Sequence, residues 1–329
     1  MVIDDIAKEL GVSKTTVSRA LSGNGRVSGK TRDRILQYTT EIGYTPNAAA
    51  KNLATTKTYN IAFSMPLNRD STRSSYFLEC LFGACKEALH TRYDIIVVGE
   101  DFDSLRQIVH SRKADGVILS RNKIGDADLK QLTQRGVPVV LTGSTSVRDV
   151  IQISYDARAA FRELTMRLLK TWQGEFALLL GQKSYPANIT RADGFIDAHM
   201  ICDKEPRLIW NADDEKEIYA AFCELYSQNI RNIVCCDDAI CCTLLSIIKD
   251  HPNLDTSYHP GRSGHDGINI ASFHSSHFLA AFHPEIPVVE LDPERLGSFA
   301  CKMLIKKIEG VDVPETTFLD YALRISATD

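Results

Sequence analysis

Short polar and cationic side chains recur on one predicted helix near the start of the chain. They are Lys14, Thr15, Thr16, Ser18 and Arg19, and no carboxylate interrupts them. Lysine, arginine and hydroxyl side chains can hydrogen-bond to phosphate oxygens and to base edges in DNA. The pattern predicts DNA recognition, and the alternative is a small helical bundle whose polar face is simply solvated.

The charge of this segment differs from that of the rest of the chain. The 329 residues have a net charge of −4, yet residues 1–58 contain nine Lys or Arg and only five Asp or Glu. The remainder is therefore acidic. At roughly 150 residues per domain the length allows about two domains. A small basic head on a larger acidic body predicts two functions in one chain.

Apolar spacing predicts three helices in the head. The first has apolar residues at i, i+3, i+4 and i+7 and ends at Gly11. Ser13 is a favourable N-cap for the second helix and Ser28 for the third, which ends near Gly43. The short connection between the first two helices allows only a steep crossing, which predicts a helix-turn-helix.

An alanine-rich stretch follows the head. Thr45 can cap a helix there and Pro46 suits its first position. The stretch is shorter than the roughly 12 residues that a helix needs to be stable alone in water. We expect a helix that forms conditionally, with Leu53 suited to wedge between base steps in the minor groove. The alternative is a flexible linker.

From Tyr59 onward, strand-like and helical segments alternate in two similar series. Such alternation predicts parallel sheets in two subdomains, with a ligand site in the cleft between them. The predicted strands are 60–65, 94–99, 116–120, 137–143, 176–181, 207–210, 232–237 and 267–273, with a last strand at 319–326. The predicted helices are 77–90, 103–113, 126–135, 157–171, 190–201, 214–228 and 239–250.

The body carries none of the sequence patterns that would indicate catalysis or a nucleotide cofactor. It has no G-x-G-x-x-G, G-x-x-x-x-G-K-[ST], H-E-x-x-H or G-x-S-x-G run. We therefore predict no enzyme and no cofactor. No apolar run approaches the roughly 18 residues of a membrane span, and the N-terminus lacks an apolar signal region, so we predict a cytoplasmic protein.

Cysteines and histidines are the residues that could hold a metal. The nine cysteines include two adjacent pairs that lack C-x₂-C spacing, which favours reduced, buried thiols. Six of the nine histidines lie between His251 and His283, most of them near a polar loop. We predict no metal site, with a metal or pH-sensing role for these histidines as the alternative.

The head and hinge together carry a family resemblance over about 55 residues. The matching elements are D-I-A-x-x-x-G-V-S-x-x-T-V-S-R, V-S-x-x-T-R and G-Y-x-P-N-x-x-A-[RK]-x-L. They resemble the LacI/GalR family of transcriptional regulators. The resemblance implies that Lys14 and Thr15 contact bases and that Leu53 is the minor-groove wedge. The other implied DNA contacts are Thr16, Ser18, Arg19, Arg26, Ser28, Thr31, Asn47 and Lys51.

The resemblance also implies how the chain is divided. The fold class is an N-terminal all-α helix-turn-helix head followed by an α/β body, with two parallel-sheet subdomains of periplasmic-binding-protein-like type. The head would span 1–45, the hinge 46–58 and the body 59–329. Within the body, one subdomain would comprise about 59–155 and 286–314, and the other about 156–285 and 315–329.

The ligand site is implied by weaker matches in the body. Arg191 lies in an R-x-x-G-F match, Asp237 replaces an Asn, and His274 stands where the family commonly has Asp. A carboxylate is thus lost at one position and gained at another. The expected ligand-binding set is Tyr76, Phe77, Ser120, Arg191, Asp237 and His274.

The resemblance implies a homodimeric repressor that binds pseudo-palindromic operator DNA. A small molecule in the cleft, a sugar or sugar derivative, would control its operator affinity. The alternative is a regulator that responds to a non-sugar or phosphorylated effector or to a protein co-regulator. No membrane partner is expected.

Overall fold

The computed structural model describes most of the chain, in two compact units that span Met1–Thr58 and Tyr59–Asp329. The described residues are 2–23, 25–44, 57–67, 75–121, 123–250, 267–274 and 276–325. None of the helices in this described part combines the length and the apolar character that a bilayer crossing requires.

The first unit is a bundle of three helices, α1 (Ile3–Glu9), α2 (Lys14–Ser22) and α3 (Gly29–Glu41). Ile6, Val17 and Ile35, one from each helix, are completely buried against one another. The turn between α1 and α2 is made possible by Gly11, whose φ of 61° lies in the left-handed region that favours glycine. The predicted helix-turn-helix head is confirmed.

The first sheet of the body has six parallel strands in the order β11-β5-β4-β3-β1-β2. These are β1 (Asn60–Ser64), β2 (Asp94–Val98), β3 (Gly116–Leu119), β4 (Val139–Leu141), β5 (Val150–Tyr155) and β11 (Thr316–Leu319). Its strands are rich in Val and Ile and largely buried, as expected for a sheet covered on both faces.

The second sheet has the order β12-β10-β9-β8-β6-β7, and only the β10–β12 pairing is antiparallel. Its strands are β6 (Phe176–Leu179), β7 (Arg207–Ile209), β8 (Asn232–Cys235), β9 (Asn269–Phe273), β10 (Val288–Glu290) and β12 (Ala322–Arg324). The two sheets confirm the predicted α/β class with two subdomains.

Nine helices of the body are described, and they flank the sheets. They are α4 (Tyr76–Ala88), α5 (Phe102–His110), α6 (Gly125–Thr133), α7 (Ala157–Thr171), α8 (Pro186–Ile201), α9 (Glu215–Ser227), α10 (Asp238–Asp250), α11 (His277–Phe282) and α12 (Pro293–Ile308). Helices α4 and α12 pack together on the first subdomain, and α7 packs against α8 on the second.

The predicted subdomain limits near the C-terminus are wrong. Strand β10 was assigned to the first subdomain but lies in the second sheet, and β11 was assigned to the second but lies in the first. The predicted strand 319–326 is instead the end of β11 and all of β12, in different sheets. The local strand pattern of residues 319–326 cannot reveal that the chain changes sheets at residues 320–321.

Candidate functional site

The polar face of the head lies on α2. Lys14, Thr15, Ser18 and Arg19 are exposed, whereas Val17 is completely buried on the opposite side of the same helix. The helix therefore turns its predicted base- and phosphate-contacting groups outward and its apolar groups inward. Arg26, which follows α2, is also exposed.

Serine–threonine pairs begin both α2 and α3. The hydroxyls of Ser13 and Thr16 lie 2.8 Å apart, and those of Ser28 and Thr31 lie 2.7 Å apart. Each serine oxygen also accepts the backbone N–H of its threonine, at 3.1 and 3.2 Å. Helix starts favour anions because their N–H groups and dipole point outward. The predicted phosphate contacts Thr16, Ser28 and Thr31 thus lie at two such helix starts.

Lys14 forms an ion pair within the head. Its Nζ lies 2.9 Å from Asp4 Oδ2, and more than half of each side chain is exposed. Such exposed pairs contribute only about 0–1 kcal/mol to stability. The pair therefore leaves Lys14 available to exchange Asp4 for another acceptor. Asn47, Lys51 and Leu53 of the predicted hinge lie outside the described residues.

In the body, Arg191 of α8 faces the carboxyl end of the second sheet. Its guanidinium lies 4.5 Å from the centre of the Phe273 ring. Nη1 donates to the backbone carbonyl of Cys236 at 3.0 Å. The buried Nε has no hydrogen-bond partner among the described residues. Phe273 ends β9 and Cys236 follows β8, so the sheet itself positions this arginine.

His274 follows β9 directly and is 4% exposed. Neither ring nitrogen has a hydrogen-bond partner among the described residues. Burial, together with the charges of Arg191 and His277, lowers the pKa of His274 to about 4. Its φ of 76° is unusual for a residue with a side chain and marks a locally constrained backbone. At neutral pH the ring is an uncharged donor and acceptor.

Tyr76 and Phe77 bring the first subdomain to the same place. The Tyr76 ring meets the His274 ring edge-on, with centroids 5.4 Å apart, and meets Phe77 at 5.5 Å. Burial raises the pKa of Tyr76 well above its usual value, with smaller effects from Cys80 and Tyr155, while Arg191 acts in the opposite direction. The phenol therefore stays protonated at neutral pH.

Ser120 and Asp237 lie at the carboxyl ends of their strands without contacting the aromatic group directly. Ser120 follows β3, and its buried hydroxyl has no partner among the described residues. Asp237 is half-buried and accepts the backbone N–H of Ile240 at 2.9 Å, which caps the start of α10. Asp237 therefore stabilises the start of this helix, in addition to its predicted ligand contact.

An arginine that the sequence did not single out bridges the two subdomains. Arg121 lies against the ring of Phe77 at 5.5 Å and against that of Tyr185 at 5.1 Å. Its Nε and Nη2 each donate to Glu100, both at 2.6 Å. Lys123 adds a third bond to that carboxylate at 3.0 Å. The available signal was its position, directly after the predicted strand 116–120.

A hollow of about 540 Å³ opens at the carboxyl end of β6 and β7. Its lining residues are all polar, with three acids and one lysine, and are Gln182, Lys183, Ser184, Asn211, Asp213, Asp214 and Glu217. Burial, and then the charges of Glu217 and Asp237, raise the pKa of Asp213, although a bond from the Gln182 N–H opposes this. The sequence analysis missed this group because none of its residues forms a motif.

Metal ligands do not converge within the described residues, where no group of three or more His, Cys, Asp or Glu could hold an ion. The nine cysteines are free thiols, most of them buried or half-buried. Residues 251–266, which contain three of the clustered histidines, lie outside the described part of the chain.

The head and the body both have known counterparts. The family described as "Bacterial regulatory proteins, lacI family" matches residues 2–47. The chain is 26% identical to the transcriptional regulator MalR of Staphylococcus xylosus, over 95% of this chain and 93% of that protein. It is 31% identical to the regulator AglR of Rhizobium meliloti, in an alignment that spans 60% of this chain and 57% of AglR.

Solved structures include similar folds of full length. One is a lac repressor dimer bound to operator and the anti-inducer ONPF, with a TM-score of 0.81 and 18% identity, covering 98% of this chain and 97% of that one. The lac repressor shares the head and the two-sheet body of periplasmic-binding-protein-like type. Both relatives are transcriptional regulators rather than enzymes. Residues 2–47 therefore form a DNA-binding head of the LacI family, and over nearly its full length the chain is similar to transcriptional regulators of that family.

Proposed function

We propose that this regulator represses transcription from a pseudo-palindromic operator as a homodimer. A small molecule bound between the two sheets, a sugar or sugar derivative, would control its operator affinity. The observation that carries the effector part is a set of buried polar atoms that lack hydrogen-bond partners. Buried donors and acceptors of Arg191, Ser120 and His274 at the carboxyl ends of the strands have no partner among the described residues.

Operator binding is supported by the head. The outward face of α2 and the starts of α2 and α3 offer cations, hydroxyls and free backbone N–H groups, which suit a phosphate backbone and the edges of bases. A dimer would place two heads on two half-sites. The structurally similar lac repressor was solved as a dimer on its operator.

Effector control is supported by the chemistry between the sheets. Ring contacts from Tyr76 and Phe77 suit the apolar face of a sugar ring. Unpaired buried donors are costly, so a ligand that supplies acceptors gains their full hydrogen-bond energy. The ligand would shift the balance between body conformations with different operator affinity.

Dimerisation is supported by an exposed apolar face on the body. Phe82 and Leu89 of α4 are 62% and 81% exposed, and Phe278 and Phe282 of α11 are 56% and 67% exposed. The two helices adjoin, since Glu79 on α4 lies 3.8 Å from His277 on α11. Such a patch, on two neighbouring helices, suits a second copy of the same surface. Phe82→Glu should convert a dimer to a monomer in analytical ultracentrifugation.

Operator binding is tested with DNA from upstream of the protein's own gene in a mobility-shift assay. Lys14→Ala should weaken binding by about 1–3 kcal/mol, the value of a good base contact. The exposed Lys170 on α7 provides a matched control, because Lys170→Ala removes the same charge from the body. Equal affinities for the two variants, or no salt-sensitive, sequence-selective complex with the native chain, would refute the proposal.

Two further variants separate the hinge from the effector site. Leu53→Ala should lose operator affinity while the body keeps its ligand. Arg191→Ala should abolish the response to effector while operator binding persists. Unchanged operator binding in the first variant removes Leu53 as the minor-groove wedge. If Arg191→Ala still responds fully at the same effector concentration, Arg191 does not belong to the effector site.

A further inference from the structure

We infer that the effector carries an anionic group, a carboxylate or a phosphate, which binds the guanidinium of Arg191 beside the uncharged ring of His274. This inference rests on the proposed effector site and names the chemical class of its ligand. Two observations support it. Arg191 has no acidic partner among the described residues, whereas Arg121, the other arginine at the cleft, is neutralised by Glu100.

The charge of Arg191 is not balanced by an ion pair within the described residues. No carboxylate of the described residues forms an ion pair with it, and its hydrogen bonds go to the carbonyl and the thiol of Cys236, both uncharged. One face of the guanidinium is covered by the Phe273 ring. The side bearing Nε is buried and unpaired. A planar guanidinium whose Nε lacks an acceptor can bind a carboxylate or phosphate through two parallel bonds.

The groups that surround this arginine also bear on its charge. His274 feels the positive charges of Arg191 and His277, and no carboxylate contributes to its titration. Tyr76 likewise feels Arg191 and no carboxylate. At neutral pH the His274 ring adds no charge, so it does not offset the cation of Arg191. An anion would offset that cation and accept a hydrogen bond from the His274 ring.

The other cation at the cleft provides a contrast. Arg121 has the same kind of aromatic neighbours, but Glu100 already takes both of its outward donors. An anionic ligand there would have to displace a carboxylate held by three bonds, including one from Lys123. The charge balance therefore directs an anion to Arg191 and away from Arg121.

The acidic groups of the second sheet constrain the rest of the ligand. Asp237 and the Asp213 hollow lie at the same edge of the sheet, and the charge of Asp237 is one of the causes that raise the pKa of Asp213. Carboxylates there repel an anion and accept from hydroxyls. We therefore expect a hydroxyl-rich molecule with one anionic end, in the manner of a sugar acid or a sugar phosphate.

The experiment uses the full-length protein and matched probes that differ only in charge. They are glucose, glucuronate and glucose 6-phosphate, with the corresponding galactose series and inorganic phosphate. Binding is measured by calorimetry and by the change in melting temperature at millimolar concentration and physiological salt. We expect at least one anionic probe to bind more tightly than its neutral parent. The carboxylate and phosphate arms identify the anion.

Arg191→Gln should weaken the anionic probe at least about tenfold, the loss expected for a charge-assisted bidentate bond. Arg231→Gln is the matched control. Its guanidinium also lies on an aromatic ring, at 3.9 Å from Tyr226, donates to a backbone carbonyl at 2.8 Å and has a buried, unpaired Nε. It precedes β8, at the opposite edge of the sheet, so its loss should leave probe affinity unchanged. It also controls for anions that bind the basic head.

His274→Asp provides a second, independent variant. A carboxylate beside Arg191 should neutralise it and weaken the anionic probe while sparing a neutral one. The inference is overturned if neutral sugars bind better than their acids, if no anionic probe binds, or if Arg191→Gln and Arg231→Gln weaken binding equally. A neutral sugar that changes operator affinity through Arg191 would reject the anion and leave the proposed function intact.

Discussion

The two subdomains of the body are built alike but hold their polar groups differently. Each has a six-stranded, mostly parallel sheet and a pair of helices in backbone contact through glycine. A Cβ on Gly297 of α12 would overlap the carbonyl of Cys80 on α4. A Cβ on Gly194 of α8 would overlap the carbonyl of Arg158 on α7. The same packing solution thus appears twice.

The charges at the cleft show the difference. In the first subdomain Arg121 is neutralised by Glu100, through two bonds of 2.6 Å. In the second, Arg191 donates to a carbonyl and His274 has two unpaired ring nitrogens. The comparison teaches that the first subdomain supplies aromatic surface and internally satisfied charge, whereas the second supplies the unsatisfied groups that a ligand would complete.

The largest expected effect tests the shared packing. Gly297→Ala should lower the free energy of unfolding by about 3 kcal/mol or more, because helix backbones must separate to admit the methyl group. Gly194→Ala should also lower the free energy of unfolding if the two subdomains are packed alike. Denaturant unfolding followed by circular dichroism measures both. Gly143→Ala is the control, since its added Cβ would make only ordinary contacts. A Gly297 variant as stable as the control would contradict the packing argument.

The next effect is a pH dependence of stability that comes from His274 in the second subdomain. The pKa of His274 falls from 6.5 unfolded to about 4 folded, so the unfolded chain takes up the proton first as pH falls. Stability is therefore complete above pH 6.5 and is lost as pH falls towards 4, by about 2 kcal/mol at pH 5. His274→Asn should remove this share, and asparagine tolerates the positive φ. His199, whose pKa burial also lowers, remains in both proteins, so the difference between them isolates His274. Identical stability slopes from pH 7 to 5 would count against a buried neutral His274.

The smallest effect concerns Glu100 in the first subdomain. Burial would raise its pKa, but the bonds from Arg121 and Lys123 outweigh burial and lower it. Its stabilisation is present above its unfolded pKa of 4.5 and is lost as pH falls below that value, which is below the range from pH 7 to 5 that tests His274. Glu100→Gln should cost about 1.5 kcal/mol at pH 7.

The same variant sharpens the comparison at the ligand level. Freed from Glu100, Arg121 should create a second anion site in the first subdomain, seen as additional weak binding of inorganic phosphate by calorimetry. If the variant binds phosphate no better than the native chain, Glu100 is not what prevents an anion from binding Arg121.

Much of the fold followed from local patterns. The predicted helix 157–171 coincides with α7, and Ser13 and Ser28 cap the helices that they were expected to begin. Strands β5 and β10 and helices α11 and α12 were not predicted. Strand β10 has three residues and α11 has six, too short for periodicity to distinguish them from loops. The site was predicted in part, since Tyr76 and His274 meet, whereas Arg121, Tyr185 and Asp213 were missed.

The sequence by itself determined the head, its polar helix and the alternation of strands and helices, because capping, periodicity and charge act between residues a few positions apart. Only the tertiary structure decided that residues 316–319 and 322–324 join different sheets, and that Glu100 neutralises Arg121 while Arg191 has no acid beside it. Those outcomes depend on groups far apart in the chain, whose pairing is fixed only when the sheets and helices have packed.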